Sequence, residues 1–584
     1  MHDHVAVVEQ HPTPVALALA AGAAGCTDSG GGPGPGPGTS TGGVSGPKDR
    51  LTVLSAGPLP SWDPQRITSR QTAGFASRTW MRTLTAYAPA ADLAGQRTLR
   101  GDLATSTGRP SKDATTWTFS LRPGVTWQDG SAITCEDVQY GVARSFDADI
   151  TSSGYALTYL DIPKKPDGTS RYPGPLAKGG TSAANRRLLE RAVECRDERT
   201  VVFHLAEPVG NFGEIVSLPE FAPFKASQEG KDATHAAFSS GPYRLEDGWD
   251  PSKGGTWVRN REWSRSSDPL RRTGPRTIEH REGVEPKDAV ETIVEAKDGG
   301  RTLALDPLPA SLAPAVDEAG DLAQTVSVDG QLVDYLAVNV RSSALKKSSV
   351  RTALAAATHR EAYTEALGAG SGTPTWSLLG TALPSAHDTV LDHGPSGDTA
   401  AAREQLREAK VRTPVKITVG YRDTEGADAA MRALEGPWED AGFDVTLKVI
   451  PEDDYFEQIG TRKVAEDLDV VWANWGPDIP SAGSVLPPLF DDRVNLSKTS
   501  VGRDYGLLAD REVDAAMDRA SKQTDRGTRA KAWAEVDTDL LRDGAYIPLR
   551  QSRLTYVAGS EVTSLVGNPV HGGTPEMGLI GVSR

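Results

Sequence analysis

Few residues in this 584-residue chain are spaced for enzyme chemistry. One serine stands in the G-x-S-x-G spacing of a hydrolase nucleophile, at residues 38–42 (GTSTG), but that motif needs a strand-to-helix turn to expose the serine. Its surroundings, residues 27–47, are rich in Gly, Pro, Ser and Thr, a composition that favours a disordered tether. The zinc motif H-E-x-x-H and the Walker A motif do not occur in the sequence. We therefore expect no enzyme activity, no metal site and no cofactor, and keep a secreted hydrolase as the alternative from another class.

The clearest local structure is a hairpin followed by a capped helix. Apolar residues alternate with polar ones over 117–121, as in a half-buried strand. Pro-Gly at 123–124 and Asp-Gly at 129–130 are tight-turn signals. Thr134 precedes Asp137 by three residues, the spacing of a capping box. The order strand, turn, strand, turn, helix follows from this pattern.

A second segment predicts α/β structure. Alternating apolar residues at 415–419 and 445–449 indicate strands, and 468–472 is a short apolar strand. Between the first two lies a helical apolar stripe, 431–438, with Gly442 as its expected C-cap. This spacing is typical of a βαβ unit with parallel strands.

The hairpin-helix stretch closely resembles the signature of the oligopeptide/dipeptide-binding family of extracellular solute-binding proteins, which feed ABC importers. The matching residues are Trp117 to Leu121, Arg122-Pro123-Gly124-Val125, Trp127, Asp129-Gly130, Thr134, Glu136-Asp137-Val138 and Arg144. Further family motifs occur at Ser61 to Pro64, Gly241 to Leu245, Arg259 to Trp263, Tyr335 to Asn339 and Ser348 to Leu367. The resemblance covers about Leu51 to Val582, and in it residues 80–87 correspond to a helix.

The family resemblance implies an α/β, two-lobe periplasmic-binding-protein-like fold with a hinge and an extra subdomain inserted in the first lobe. We expect the following division: signal peptide 1–26, tether 27–47, lobe I 48–97, inserted subdomain 98–224, lobe I again 225–333, lobe II 334–543, and a C-terminal return to lobe I 544–584.

The resemblance also implies a ligand site. Trp475-Gly476-Pro477-Asp478 resembles the family segment whose Asp pairs with the α-amino group of a peptide. Such a carboxylate, in a cleft that closes over its ligand, makes a charge-assisted hydrogen bond in low dielectric, and Trp475 adds apolar contact. Tyr155 and Gln71 are two further peptide-binding candidates, Gln71 in a loop before the 80–87 helix. The alternative is structural: a Trp buried under a loop and an Asp that opens a turn.

The N-terminus resembles a bacterial lipoprotein signal. An apolar segment, residues 15–25, ends in small residues directly before Cys26, which would become the acylated N-terminus. Two features depart from the usual pattern: Ala23 stands where Leu is common, and no Lys or Arg precedes Val15. The alternative is an Ala-rich disordered tail.

With Cys26 assigned to lipid, two of the three cysteines remain. An exported protein occupies an oxidising compartment, so we expect Cys135 and Cys195 to form a disulfide. Two buried free thiols are the alternative.

Net charge and hydropathy limit the classes of partner that this protein can have. The net charge of −15 argues against nucleic acid, and no apolar run reaches the roughly 18–20 residues of a membrane span. We expect a monomeric, extracytoplasmic protein on a lipid anchor at the outer face of the membrane. It would bind a short peptide and deliver it to ABC permease subunits with separate ATPase subunits. A metal chelate or a sugar is the alternative ligand.

Overall fold

The computed structural model describes residues 49–583, apart from 60, 151, 231–234, 236, 297–298 and 386–392. The expected lipidation at Cys26, the signal peptide 1–26 and the tether 27–47 therefore lie outside the described residues. No helix within the described ranges has the length and apolar character needed to cross a membrane.

Strands and helices alternate along the chain. Residues 49–215 form β1 (Arg50–Leu54), α1 (Arg70–Thr79), β2 (Thr85–Tyr87), α2 (Leu93–Gln96), β3 (Leu99–Gly101), β4 (Arg109–Pro110), β5 (Thr116–Ser120), α3 (Cys135–Arg144), α4 (Tyr155–Tyr159), α5 (Ala183–Ala192), β6 (Val193–Asp197), β7 (Thr200–His204) and α6 (Phe212–Ile215). Residues 243–338 form β8 (Tyr243–Asp250), β9 (Gly254–Arg259), β10 (Thr277–Arg281), α7 (Pro286–Glu295), β11 (Thr302–Ala304), α8 (Ala313–Ala319) and β12 (Ala323–Val338).

The later elements begin with α9 (Ser348–Ala356), α10 (Arg360–Ala366), β13 (Gly372–Pro374), α11 (Thr399–Glu408), β14 (Val415–Arg422), α12 (Ala427–Ala441), β15 (Phe443–Ile450), α13 (Tyr455–Ile459), α14 (Arg462–Asp467) and β16 (Val470–Trp475). They continue with α15 (Leu486–Phe490), α16 (Asp492–Asn495), α17 (Arg511–Ser521), α18 (Arg526–Asp543), β17 (Tyr546–Gly559), β18 (Val562–Thr563), β19 (Gly567–Asn568), β20 (Thr574–Pro575) and β21 (Gly581–Val582).

One mixed sheet runs through most of the molecule in the order β15-β14-β16-β12-β17-β11-β1-β10-β9-β8, with β13 also paired to β17. Its two ends contain parallel groups: β15, β14 and β16 at one, and β11, β1 and β10 at the other. A separate four-stranded antiparallel sheet, β4-β5-β7-β6, has its own apolar core. The chain is therefore a mixed α/β fold with two sheet halves and an added small sheet.

The long antiparallel pair β12–β17 joins the two sheet halves. Residues 323–329 of β12 pair with the end of β17, and residues 333–337 pair with its beginning, with a register shift between Asp329 and Val333. Gln551 lies at this shift, where its buried amide donates to the Gly330 carbonyl over 3.1 Å. The expected lobe boundaries remain predictions. Because Ile547 and Leu549 pack with the 334–543 segment, the packing favours a return to lobe I near Gln551 rather than at residue 544.

The hairpin-helix stretch largely follows its sequence pattern. β5 buries Trp117 and Phe119, and Gly124 and Gly130 take positive φ angles of 73° and 81°. Thr134 and Asp137 form the reciprocal capping box of α3. The strand expected between the two turns is only an isolated bridge, Thr126 to Ala132.

The expected helix at residues 80–87 is wrong. The helix α1 precedes it, and Trp80 is its C-cap, with φ −125° and ψ −23°. Trp80 is buried among aromatic rings, stacked on Trp257 with ring centroids 6.2 Å apart. The following residues pair as β2 with β3 instead, since Thr, Leu and Tyr suit a strand with a partner.

The expected βαβ unit is present. β14 and β15 are parallel over their full lengths, and α12 connects them, ending at Gly442 with φ 108°.

Cys135 and Cys195 are joined by a disulfide, with Cα atoms 5.7 Å apart. Cys135 is the first residue of α3, and Cys195 lies in β6, a strand that the sequence pattern did not indicate. The bond ties α3 to the edge of the small sheet.

Removing this disulfide should destabilise the protein. The Cys135→Ser/Cys195→Ser double variant should lose about 2–4 kcal/mol of unfolding free energy, because a cross-link over a sequence separation of 60 residues restricts the unfolded chain. Urea unfolding followed by tryptophan fluorescence would measure it. A reductant should lower the wild-type midpoint to that of the variant and leave the variant unchanged; equal midpoints for oxidised wild type and variant would contradict the prediction.

Candidate binding site

Three distant parts of the chain meet at the carboxylate of Asp478. This residue follows β16 in a loop, and its Oδ1 accepts a hydrogen bond from Arg70 Nη2 over 2.8 Å. Its Oδ2 accepts a hydrogen bond from the Tyr155 hydroxyl, also over 2.8 Å. Arg70 is the first residue of α1 and Tyr155 the first residue of α4. The site thus combines the segments expected as lobe I, inserted subdomain and lobe II.

Tyr155 is positioned by a buried carboxylate. The helix α4 begins after Gly154, which offers no side-chain cap. Glu220 replaces the cap: it accepts hydrogen bonds from the backbone N–H groups of Tyr155 and Ala156, over 3.1 and 3.0 Å, and from the hydroxyl of Ser153. Burial raises the pKa of Glu220 despite these donors. Its contacts fix the start of α4, and with it the Tyr155 ring.

The Asp478 loop is held from both sides. Ile479 is buried in the apolar core of the small-sheet region, while Ser481 accepts a hydrogen bond from Asn211 Nδ2 over 3.3 Å. On the other side, Trp475 Nε1 donates to the Ser484 carbonyl over 2.9 Å. These anchors explain why a loop residue takes one defined position.

A cavity of about 600 Å³ opens beside this cluster. This volume falls within the range of small-molecule sites, about 300–1,000 Å³. Its charged and aromatic lining comprises Arg70, Tyr87, Tyr155, Tyr159, Trp475, Asp478, Asp491, Arg503 and His571. The guanidinium of Arg503 lies over the Trp475 ring, 4.8 Å from its centroid, so the indole presents one face to a cation.

Burial fixes the protonation states around Asp478. Desolvation and the charge of Asp478 raise the pKa of Tyr155 well above its usual value, so Tyr155 keeps its proton and donates it. The same two causes raise the pKa of Tyr159 to about 12. Burial, assisted by Arg78, lowers the pKa of His571 to about 3, so His571 is neutral at physiological pH.

The structure places the sequence-predicted residues differently. Asp478, Trp475 and Tyr155 line one cavity. Gln71 lies in the first turn of α1 rather than in a loop, and its Nε2 donates to the Leu305 carbonyl over 2.7 Å. Gln71 is also not part of the cavity lining, so its proposed contact with a ligand gains no support from this geometry.

Sequence reasoning missed Arg70, Glu220 and Arg503. One signal was available for Arg70: a cation at the first position of a helix opposes the helix dipole, so a tertiary partner is expected. Glu220 offered a similar signal, a carboxylate within the apolar run 218–224.

The arrangement suits a solute that carries both charge signs. Asp478 uses one acceptor position for Arg70 and one for Tyr155, and a carboxylate offers about four. Its side chain remains 32% exposed, so a ligand amino group can reach it. The guanidinium groups of Arg70 and Arg503 line the same cavity and give it positive charge.

Comparisons with known proteins agree on one family. Residues 98–496 match the middle region of bacterial extracellular solute-binding proteins, family 5. The probable D,D-dipeptide-binding periplasmic protein DdpA of Escherichia coli (strain K12) is 21% identical over 90% of this chain and 92% of its own. The periplasmic oligopeptide-binding protein OppA of the same organism is 23% identical over 75% of this chain and 77% of its own.

Among solved structures, the clavulanic acid biosynthesis oligopeptide binding protein 2 superposes with a TM-score of 0.79. It is 25% identical and the match covers 92% of this chain and 95% of that protein. The two-lobe periplasmic-binding-protein fold expected from the sequence is thereby confirmed. Since the family match spans more than half of the residues, the chain belongs to the bacterial extracellular solute-binding proteins of family 5.

Proposed function

We propose that this protein binds short peptides in the cavity at Asp478 and delivers them to an ABC importer. The observation that carries the proposal is the Asp478 carboxylate, held by Arg70 and Tyr155 at the wall of a cavity of about 600 Å³. The dipeptide- and oligopeptide-binding relatives support it.

The peptide amino terminus is the group that Asp478 would bind. An ammonium group would donate to the acceptor positions of the carboxylate that Arg70 and Tyr155 do not use. This charge-assisted bond strengthens when the ligand displaces water. The amino terminus is common to all peptides, so this anchor selects a backbone rather than a side chain.

The alternatives are less well supported. A metal chelate or a sugar lacks the ammonium group that Asp478 suits, and the family consists of solute-binding proteins rather than hydrolases. The transport role assigns the pore and the ATPase to other polypeptides, since the chain has no Walker A motif. We further propose an extracytoplasmic monomer anchored through lipid on Cys26.

Asp478→Asn should weaken peptide binding. Truncating one member of a desolvated charge pair costs about 2–5 kcal/mol, which corresponds to a loss of roughly tens- to thousands-fold in affinity. Arg70, left without its carboxylate partner, would add repulsion of the ammonium group. Calorimetry with a short peptide that co-purifies with the protein would measure the loss.

N-acetylation of the peptide tests the assignment to its amino group. The acetylated peptide should bind wild type weakly and lose little further affinity in Asp478→Asn, because both changes remove one interaction. The matched control is Asp467→Asn, an exposed carboxylate on α14, which should bind like wild type. Additive losses in the four-way cycle would show that Asp478 does not contact the amino group.

Glu220→Gln should weaken binding indirectly. The amide turns an NH₂ group towards a backbone donor of α4, so we expect a loss of about 1–3 kcal/mol in unfolding free energy and a several-fold loss of peptide affinity through Tyr155. The affinity loss should nearly vanish in a Tyr155→Phe background, whereas a general folding defect would persist there. Exposed Glu207→Gln is the control.

Cys26 should carry the lipid. In cells fed labelled palmitate, the wild-type chain should take up label and Cys26→Ser should not, because thioether attachment needs the cysteine sulfur. Label in both proteins, or in neither, would refute the lipid anchor without affecting the peptide proposal.

A further inference from the structure

Three carboxylates lie close together, and one of them belongs to the cavity lining. Asp491, Asp492 and Asp514 each offer an oxygen, and these oxygens lie within 4.8 Å of one another. Asp491 follows α15, Asp492 begins α16 and Asp514 lies in the first turn of α17. Only Asp491 contacts the ligand cavity.

Helix capping accounts for only part of this group. Asp491 caps α16, accepting from the Arg493 backbone N–H over 3.0 Å, and Asp492 at the first helical position suits the helix dipole. Asp514, in the first turn of α17, also suits the helix dipole, but the cap of that helix is Asp510. Neither capping nor the dipole requires the Asp514 side chain to be buried, yet the residue is 6% exposed.

Asp514 is an unsatisfied buried carboxylate. Its residue is 6% exposed, and among the described residues no donor reaches its Oδ1. The neighbouring Asp504, which interacts electrostatically with Asp492 and Asp514, is 1% exposed and has an Oδ2 in the same condition. A buried carboxylate oxygen without a donor is costly. Burial raises the pKa of Asp504 to about 8, so a proton satisfies Asp504, and only Asp514 points to a positive ligand.

The nearby guanidinium does not supply that charge to Asp514. Arg493 binds Asp491 through Nε and Nη2, over 2.9 and 2.7 Å, and its other contacts, Nη1 and Nη2, go to Asp518 over 2.9 and 2.8 Å. Arg493 is thus shared between Asp491 and Asp518. Burial and the charges of Asp491 and Asp492 raise the pKa of Asp514 to about 6, so a cation or a proton is needed to offset the mutual repulsion of this group.

We infer that Asp491, Asp492 and Asp514 form a binding site for a divalent cation that takes oxygen ligands, with Ca²⁺ as the best fit. Carboxylate oxygens are the ligands that hard cations prefer, and Ca²⁺ tolerates irregular geometry with water completing its shell. This departs from the sequence-based expectation of no metal site. The inference does not depend on the ligand being a peptide.

The cation would stabilise the segment that forms part of the cavity wall. Asp491 and Asp492 lie in the segment that runs on from the Asp478 loop, and Asp514 lies on α17, which packs behind it in the same apolar core. Joining the two by a cation would stabilise the 334–543 part of the chain. Peptide affinity should respond only mildly, because Asp478 itself is not a ligand of the cation.

Calcium titration of the full chain, freed of metal with EDTA and then of EDTA, tests the inference. We expect one Ca²⁺ per chain by calorimetry, with a Kd in the micromolar to millimolar range. At a concentration about tenfold above Kd, the thermal midpoint should rise by about 1–2 °C. MgCl₂ at the same concentration should give a smaller shift, since Mg²⁺ requires stricter geometry.

Asp514→Asn and Asp492→Asn should each abolish the calcium shift. Both variants remove an uncompensated carboxylate, so in EDTA they should be as stable as wild type or more so, which separates lost binding from lost folding. Exposed Asp467→Asn should keep the wild-type shift. Absence of bound calcium in wild type, or equal binding by Asp514→Asn, would overturn the inference. A midpoint that rises on acidification but not with Ca²⁺ would also overturn it, showing that a shared proton holds the carboxylates.

Discussion

The antiparallel pair β12–β17 is the constraint on which the architecture depends. These strands, 16 and 14 residues long, carry hydrogen bonds from one half of the main sheet into the other. A sheet that simply continued would be stiff, but the register shift at Asp329–Val333 interrupts the ladder at the crossing. The Gln551 side chain donates a hydrogen bond to the Gly330 carbonyl at this interruption. The two halves can therefore keep separate apolar cores while sharing backbone hydrogen bonds, which is what a hinge between two lobes requires.

The binding site follows from this arrangement, because segments from both halves and from the small-sheet region meet at the loop after β16. Ile479 inserts into the core of the small-sheet region and, together with the hydrogen bonds of Ser481 and Trp475, positions the adjacent Asp478. The carboxylate then receives Arg70 from one side and Tyr155 from the other. Each partner begins a helix, so a short movement of either helix would change the distance between the groups. The residues that we propose as ligand contacts thus also join distant parts of the chain.

Sequence patterns predicted the elements whose stability is local. The capping box of α3, the turn glycines of the hairpin and the βαβ unit all rest on residues close in sequence, and all are present. The helix predicted at residues 80–87 is absent because Trp80 is fixed by aromatic rings from distant segments. This tertiary packing overrides the local pattern. The family resemblance indicated Asp478, Trp475 and Tyr155 as candidate site residues, and the structure places them around one cavity. Arg70 and Glu220 act only through contacts across 408 and 64–67 residues, which no local pattern records.

The ion pair between Arg70 and Asp478 also bears on how a peptide-binding protein can accept peptides of different sequence. Without Arg70, Asp478 would be a carboxylate partly removed from water with no compensating charge, a costly state for the free protein. Arg70 lowers that cost, so the net gain from adding an ammonium group is smaller than for an unpaired carboxylate. Under the proposed assignment, the Asp478 anchor is common to all peptides, and side chains would lie in a cavity whose lining is mostly apolar and aromatic.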